Sequence, residues 1–554
     1  MILRDVNRQL AVGIATGAML IAAQSVASAQ NNGSVTGVVN DASGQPVAGA
    51  FVKLKNDERR LTFMVVSKER GQFEAKDLPP GTYRAQGVGG NFQSGWFDNV
   101  RVTGGGGGDA KVGLSLNQQR GPDLAPAWPH RLPEADVLKA SKDPNDLPEG
   151  EGKALVAQHC NSCHNLVRIV VNRSDKDHWS HTVTRMRTRM VTANMTDLSD
   201  ADYTKIVDYL STKFAPANPY DANSRLPRTL MTGKAVNYRM VTYDLINTHA
   251  EPHDVAADPQ GNAWVAERAG KIGKFDTKAL TFTERDTPPG PAAKDRQSLG
   301  NPQIDGKGIM WVADGPNNRW LSYDTNTDRF LAFAWPRGKG GAGGNTMAIH
   351  PNGTIWATGG NKEARMLDPA TGEFKFFEAP SAKTHKGPPG AYGMAIAGDG
   401  SVWFAEDEAD LMARVDPVTG KVDEYKIPYT EGHAYPRRMN TDGNGDLWVA
   451  LWNAGKLMKI DHKTRHMTIY SPPTPSSGNY SVIVDKKNGY IWVSEHQVDK
   501  IARFDPRTEE WVEFPLAEAE SDPRRLDIDP NFPNRVYFSG NTASRVGFIE
   551  YLPQ

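Results

Sequence analysis

The hydrophobic rhythm of the chain changes twice. Between residues 30 and 117, apolar and polar positions alternate in short runs: "GSVTGVVND", "AFVKLKN", "GQFEAKDL", "GTYRAQGV" and "DNVRVT". Turn chemistry, "ASGQPVAG" and "LPPG", separates them. Period-two alternation between Gly- and Pro-bearing turns predicts half-buried strands, here a small β-sandwich. Between 149 and 216 the spacing becomes helical, in "EGEGKALVAQHC", "DKDHWSHTVTRMRTRM" and "LSDADYTKIVDYLSTKF". One predicted apolar stripe carries Trp179, Val183 and Met186; another carries Ile206, Tyr209 and Leu210. Ser199 or Asp200 can cap the last helix. Residues 118–148, rich in Pro, Asp and Ala and without apolar period, and residues 217–234 read as linkers.

From 235 to 554 the pattern repeats. "GNAWVAE", "GIMWVAD", "GTIWATG", "GSVWFAE", "GDLWVAL", "GYIWVSE" and "NRVYFSG" align on Trp264, Trp311, Trp356, Trp403, Trp448, Trp492 and Tyr537, 44 to 47 residues apart. Each anchor is preceded by a turn, and most are followed by a strand such as "KIGKFD" or "IARFDP". Four strands per unit and seven units predict a seven-bladed β-propeller. The last unit lacks an outer strand, and "NYRMVTYDLI" at 237–246 is the spare strand that would close the ring.

Composition agrees with many short strands: Gly and Pro together number 90 of 554 residues. The net charge is −1, which gives no argument for nucleic acid or an anionic membrane surface. Residues 1–29 read as a cleaved export signal, with Arg4 and Arg8, a short apolar run, and "SVASAQ". No later stretch is apolar enough to span a bilayer, and the expected location is the periplasm.

The two cysteines of the chain sit in "QHCNSCHN". A disulfide between Cys160 and Cys163 would close a tiny loop, and zinc would need soft ligands that are missing. C-x-x-C-H is instead the attachment pattern for c-type haem, with His164 as proximal iron ligand. The segment 149–216 resembles small class I cytochromes c. The resemblance implies Met195 or Met190 as sixth ligand, with His178 and His181 as outside options.

Two further resemblances cover the β regions. "GVVNDASGQPVAGAFVKL" and "GQFEAKDLPPGTYRAQ" resemble carboxypeptidase-regulatory-like, transthyretin-like domains. "PHDVAADPQGNAWVAERAGKIGKFD" resembles the virginiamycin B lyase (streptogramin lyase) propellers. The expected architecture is therefore a multidomain, mainly β chain: β-sandwich, small all-α cytochrome c domain, and seven-bladed propeller.

The lyase resemblance implies a site in the first blade. Glu251 and Glu267 would hold Mg²⁺, and His253 would be the general base that opens a cyclic depsipeptide by elimination. Where the family brings a second histidine, this chain offers "DPRRL", with Arg524 and Arg525; another blade offers "YPRRM", with Arg437 and Arg438. These arginines either bind an anionic group of a substrate or brace acidic neighbours. Tyr392, Glu406, Asp314, Asn345, Trp452, Tyr480, Glu495 and His496 are the other residues expected at the channel mouth. The main expectation is a haem c electron carrier whose propeller binds a small organic substrate or a redox partner. The alternatives are a metal-dependent C–O lyase with an accessory haem domain, and a docking scaffold.

Overall fold

The computed structural model describes residues 32–553 apart from 105–109, 122–143, 161–165, 167–174, 193–196, 216–222, 249, 269, 291–298, 336–345, 360–361, 385–389 and 520. The predicted export signal lies outside the described residues, as do most of the first linker and part of the second. Among the described residues no helix is long and apolar enough to cross a membrane.

The N-terminal unit packs two sheets. In one, Gly33–Asp41 lies between Gln72–Leu78 and Ala110–Leu116, antiparallel to the first and parallel to the second. In the other, Phe51–Asn56 pairs with Leu61–Val66 and Gly81–Gly89. The alternating apolar residues of the two inner faces, among them Val35, Leu54, Phe63, Tyr83 and Val112, make one core.

Six four-stranded antiparallel sheets follow, each built from consecutive strands. The seventh blade combines Pro523–Ile528, Arg535–Gly540 and Arg545–Tyr551 with the early strand Tyr238–Asp244, in register from Tyr238 opposite Tyr551 to Asp244 opposite Arg545. The spare strand therefore closes the ring. Six of the seven aromatic anchors are at most 5% exposed tryptophans and the seventh is the fully buried Tyr537.

The ring closure has an unexpected extension. The outer edge of Tyr238–Asp244 pairs with Leu61–Val66 of the sandwich, Val241 opposite Phe63. The seventh blade and one sandwich sheet are thus a single ten-stranded sheet. An outermost blade strand normally presents a row of unpaired N–H and C=O groups. Here the sandwich occupies that edge, and Leu61–Val66 is buried along its whole length.

Between these units Lys176–Thr192 packs on Asp200–Lys213, with a short helical turn over Lys153–Cys160. Ser199 caps the last helix, accepting from the Asp202 N–H at 3.1 Å. Trp179, Val183, Ile206, Tyr209 and Leu210 form the small core expected of these stripes. Met190 is packed in that same core, which is what an apolar helical methionine does by default. Cys160 is partly buried against it, and burial pushes its thiol up to about 12. Cys163, His164 and Met195 lie outside the described residues, as do the side chains of His178 and His181.

Candidate functional site

The propeller places its unusual chemistry through β-bulges. In five of the seven blades the innermost strand breaks register against the second strand at one equivalent place. The breaks fall between Gly300 and Gln303, Ala391 and Met394, Pro436 and Met439, Asn479 and Ser481, and Pro523 and Leu526. A bulge inserts an unpaired residue and re-aims side chains. The residues inside these bulges include Asn301, Tyr392, Arg437, Arg438, Tyr480, Arg524 and Arg525. Gly393, beside Tyr392, is required there: a Cβ on it would stand 1.9 Å from the Arg437 carbonyl oxygen.

A second device recurs in three blades. Glu251-Pro252-His253, Tyr435-Pro436-Arg437 and Asp522-Pro523-Arg524 each start with a non-glycine residue at positive φ: +43°, +55° and +51°. Such backbone costs on the order of 1–3 kcal/mol and persists where the surroundings enforce it. It delivers His253, Arg437 and Arg524 to equivalent positions around the axis.

There they meet. His253 Nδ1 lies 3.2 Å from an Asp254 carboxylate oxygen, and Nε2 lies 3.3 Å from the Tyr480 hydroxyl. Tyr480 is hydrogen-bonded to the Tyr392 hydroxyl. The Asp254 carboxylate is ion-paired to Arg438 at 2.6 Å. Arg438 Nη2 also lies 3.5 Å from Nδ1; with the proton on Nδ1 facing the closer Asp254 carboxylate, Nε2 is the acceptor from Tyr480. Tyr392 to Tyr480 to His253 to Asp254 is then one continuous chain of proton donors and acceptors, and Tyr392 is its more exposed end.

The charges around this chain tune it. Burial pushes the His253 imidazole down to about 3 against the pull of Asp254, so it is neutral at neutral pH. Burial opposes ionisation of Asp254, but Arg438 and His253 hold it well below the usual carboxylate range. Burial also opposes ionisation of Tyr392, yet Arg437 and Arg438 outweigh it and hold the phenol below its ordinary value. Tyr480 shifts the other way, raised by burial and by Tyr392.

The four arginines divide. Arg437 is enclosed by aromatic rings, 4.0 Å from the Tyr392 centroid, 4.6 Å from Tyr435, 4.7 Å from Trp452 and 5.5 Å from Tyr480, and it is ion-paired to Asp407 at 3.0 Å. Arg438 reaches across the channel to Asp254, Asn301 and Thr346. Both are 3% exposed, so they brace the site rather than meet a substrate at its mouth. Arg524 is held by Asp522 and keeps 26% of its side chain exposed, 5.7 Å from the Tyr480 ring. His496 stacks on Tyr480, ring centroids 5.1 Å apart, and also contacts Asp522.

The other expected mouth residues are placed elsewhere. Asp314, Glu406 and Glu495 are completely buried, as is Glu267. Asp314 is held by Asn317 and Arg319, and Glu406 by Ser381. Asn345 lies outside the described residues. The two carboxylates implied as metal ligands by resemblance have different surroundings. Glu251 faces Arg268 at 3.5 Å. Neither Glu267 carboxylate oxygen has a hydrogen-bond partner among the described residues. Burial and Glu284 push Glu267 up to about 7. Among the described residues no group of three or more His, Cys, Asp or Glu side chains forms a metal-binding set.

Sequence reading missed Asp254, Asn301, Tyr435 and Asp522. Asp254 had a signal, as an acid directly after the histidine at the start of an apolar strand. Tyr435 and Asp522 share the X-Pro-basic pattern with Glu251.

Residues 305–552 match the virginiamycin B lyase family, and residues 34–115 match the carboxypeptidase regulatory-like domain. The first of these matches begins beyond Glu251–Glu267. Among solved structures, a streptogramin B lyase aligns at 20% identity over 58% of this chain and 99% of its own, with a TM-score of 0.50. A virginiamycin B lyase from Staphylococcus aureus aligns at 18% identity over 56% of this chain and 99% of its own, with a TM-score of 0.48. No curated protein sequence matches the chain. The chain thus carries a virginiamycin B lyase-like propeller and a carboxypeptidase regulatory-like domain in a mainly β architecture. This corrects the main functional expectation: the matches fall on the propeller and the sandwich, and helices are few. The reading as an electron-transferring cytochrome is overturned in favour of its lyase alternative.

Proposed function

We propose that the propeller is a C–O lyase that opens an ester-linked organic substrate by elimination. The observation that carries this reading is the Tyr392–Tyr480–His253–Asp254 chain, set in the bulge ring of a virginiamycin B lyase-like propeller. A neutral imidazole with a carboxylate behind it is a proton acceptor at Nε2, and the negative charge of Asp254 opposes the lowering that burial imposes on it. Tyr392 is the member that a substrate reaches first.

In the elimination, the proton on the carbon next to the C–O carbon passes to the Tyr392 oxygen. The Tyr392 proton moves to Tyr480, and the Tyr480 proton to His253 Nε2. The electron pair of the broken C–H bond forms the new double bond as the C–O bond breaks. The leaving group departs as a carboxylate. Asp254 offsets the transient imidazolium charge. The exposed side of Arg524 is the cation placed to meet the departing carboxylate, and Arg437 fixes the tyrosine rings.

The test uses a cyclic depsipeptide of the streptogramin B type with the whole protein and with a Tyr480→Phe variant. Ring opening by the parent and its loss in the variant support the reading; equal ring opening by both overturns it.

A further inference from the structure

A cavity of about 420 Å³ is lined on one side by Arg438. Its walls come from the inner strands of six blades, and its cations are Arg438, Arg525 and Lys486. Asp305 is the carboxylate on the same wall. Arg438 is neutralised by Asp254 at 2.6 Å. Arg525 is not matched in that way. It is 9% exposed, and its Nη1 has no hydrogen-bond partner among the described residues. Asp527 is its nearest local acid by sequence, but that carboxylate accepts from the backbone N–H groups of Ala257 and Ile528.

A buried guanidinium normally finds a carboxylate or several acceptors. Here burial and the neighbouring Arg438 both work against the Arg525 charge. Asp254 and Asp527 favour the charge without outweighing these two effects, and a polar guest in the cavity would add acceptors for the open Nη1. Thr346, Asn440, Thr441 and Ser481 line the same space. They offer hydroxyl and amide groups to a polar guest. The volume suits a small organic molecule and is too small for a peptide.

We infer that this cavity is a second binding site, distinct from the tyrosine mouth, for a small dianion bearing carboxylate or phosphate groups. Arg525 is its primary contact, and Lys486 the second charge, at the entrance. Such a site requires no reaction, so it is independent of whether the propeller is a lyase.

Binding of inorganic phosphate and of succinate to the whole protein, measured by calorimetry and by the shift in melting temperature, tests it and separates the two sources of charge. Saturable 1:1 binding of at least one is expected. Arg525→Met should weaken it roughly 10- to 100-fold, as loss of a charged hydrogen bond does. Lys486 is exposed, so Lys486→Gln folds normally and provides a control should the first variant not fold; it should weaken binding several-fold. Absence of saturable binding by either anion overturns the inference, as does binding that neither substitution changes.

Discussion

The imidazole of His253 stands 3.3 Å from the hydroxyl of Tyr480, although the two residues are 227 positions apart. Only a closed ring brings the first blade against the sixth across a common axis. The bulge at Tyr480 turns its phenol inward, and Asp254 fixes the imidazole from behind.

Removing the Tyr480 hydroxyl breaks the proton chain and leaves the ring packing in place. Tyr480→Phe should lower kcat about 10²- to 10⁴-fold, the usual worth of positioned acid–base transfer. KM should change little. Steady-state kinetics on the ester substrate, with circular dichroism as the folding control, measure this.

Asp254 and Arg438 form a buried ion pair, so removing one partner strands the other. Asp254→Asn should destabilise the protein by about 3–5 kcal/mol. The double variant Asp254→Asn with Arg438→Met should recover part of that loss. Chemical denaturation of the three proteins checks it.

The buried glutamates predict a loss of stability on the alkaline side. Burial and Glu513 push Glu495 up to about 8, and burial pushes Glu406 up to about 7. Each folded value lies above the unfolded one, so the folded state holds a proton that the unfolded state releases. For these groups stability is full below about pH 4.5 and declines as pH rises to about 8, at roughly 1.4 kcal/mol per pH step for each proton so held. Glu495→Gln should make that decline shallower, which melting curves at pH 5 and pH 9 will show as a smaller difference in Tm than in the parent.

The shared sheet predicts one unfolding transition for the sandwich and the propeller. Val65 faces Arg239 across the junction. Val65→Pro removes a backbone N–H at a central strand and should destabilise the junction. Scanning calorimetry should then resolve two transitions where the parent shows one.

Much of the fold was legible. Seven evenly spaced aromatic anchors and an unmatched front strand are local signals, and they specified both blade number and ring closure. The junction with the sandwich was not legible, because which edge an exposed strand meets depends on tertiary placement rather than on its own pattern. The site was half legible. His253 and the arginine pairs stand out in the sequence, but adjacent arginines diverge because a bulge separates them, and a bulge is a property of the ladder. Glu267, Glu406 and Glu495 follow their anchors at the expected interval, yet their side chains are completely buried. The C-x-x-C-H motif carried too much of the functional reading: five residues were weighed against a propeller of some 320.

The most direct test of the lyase account is mass spectrometry of a streptogramin B depsipeptide after incubation with the purified protein. The account predicts a ring-opened product of unchanged mass that carries a new carbon–carbon double bond, and none with His253→Ala. A product heavier by one water, or an intact ring under conditions where the protein is folded, would contradict it.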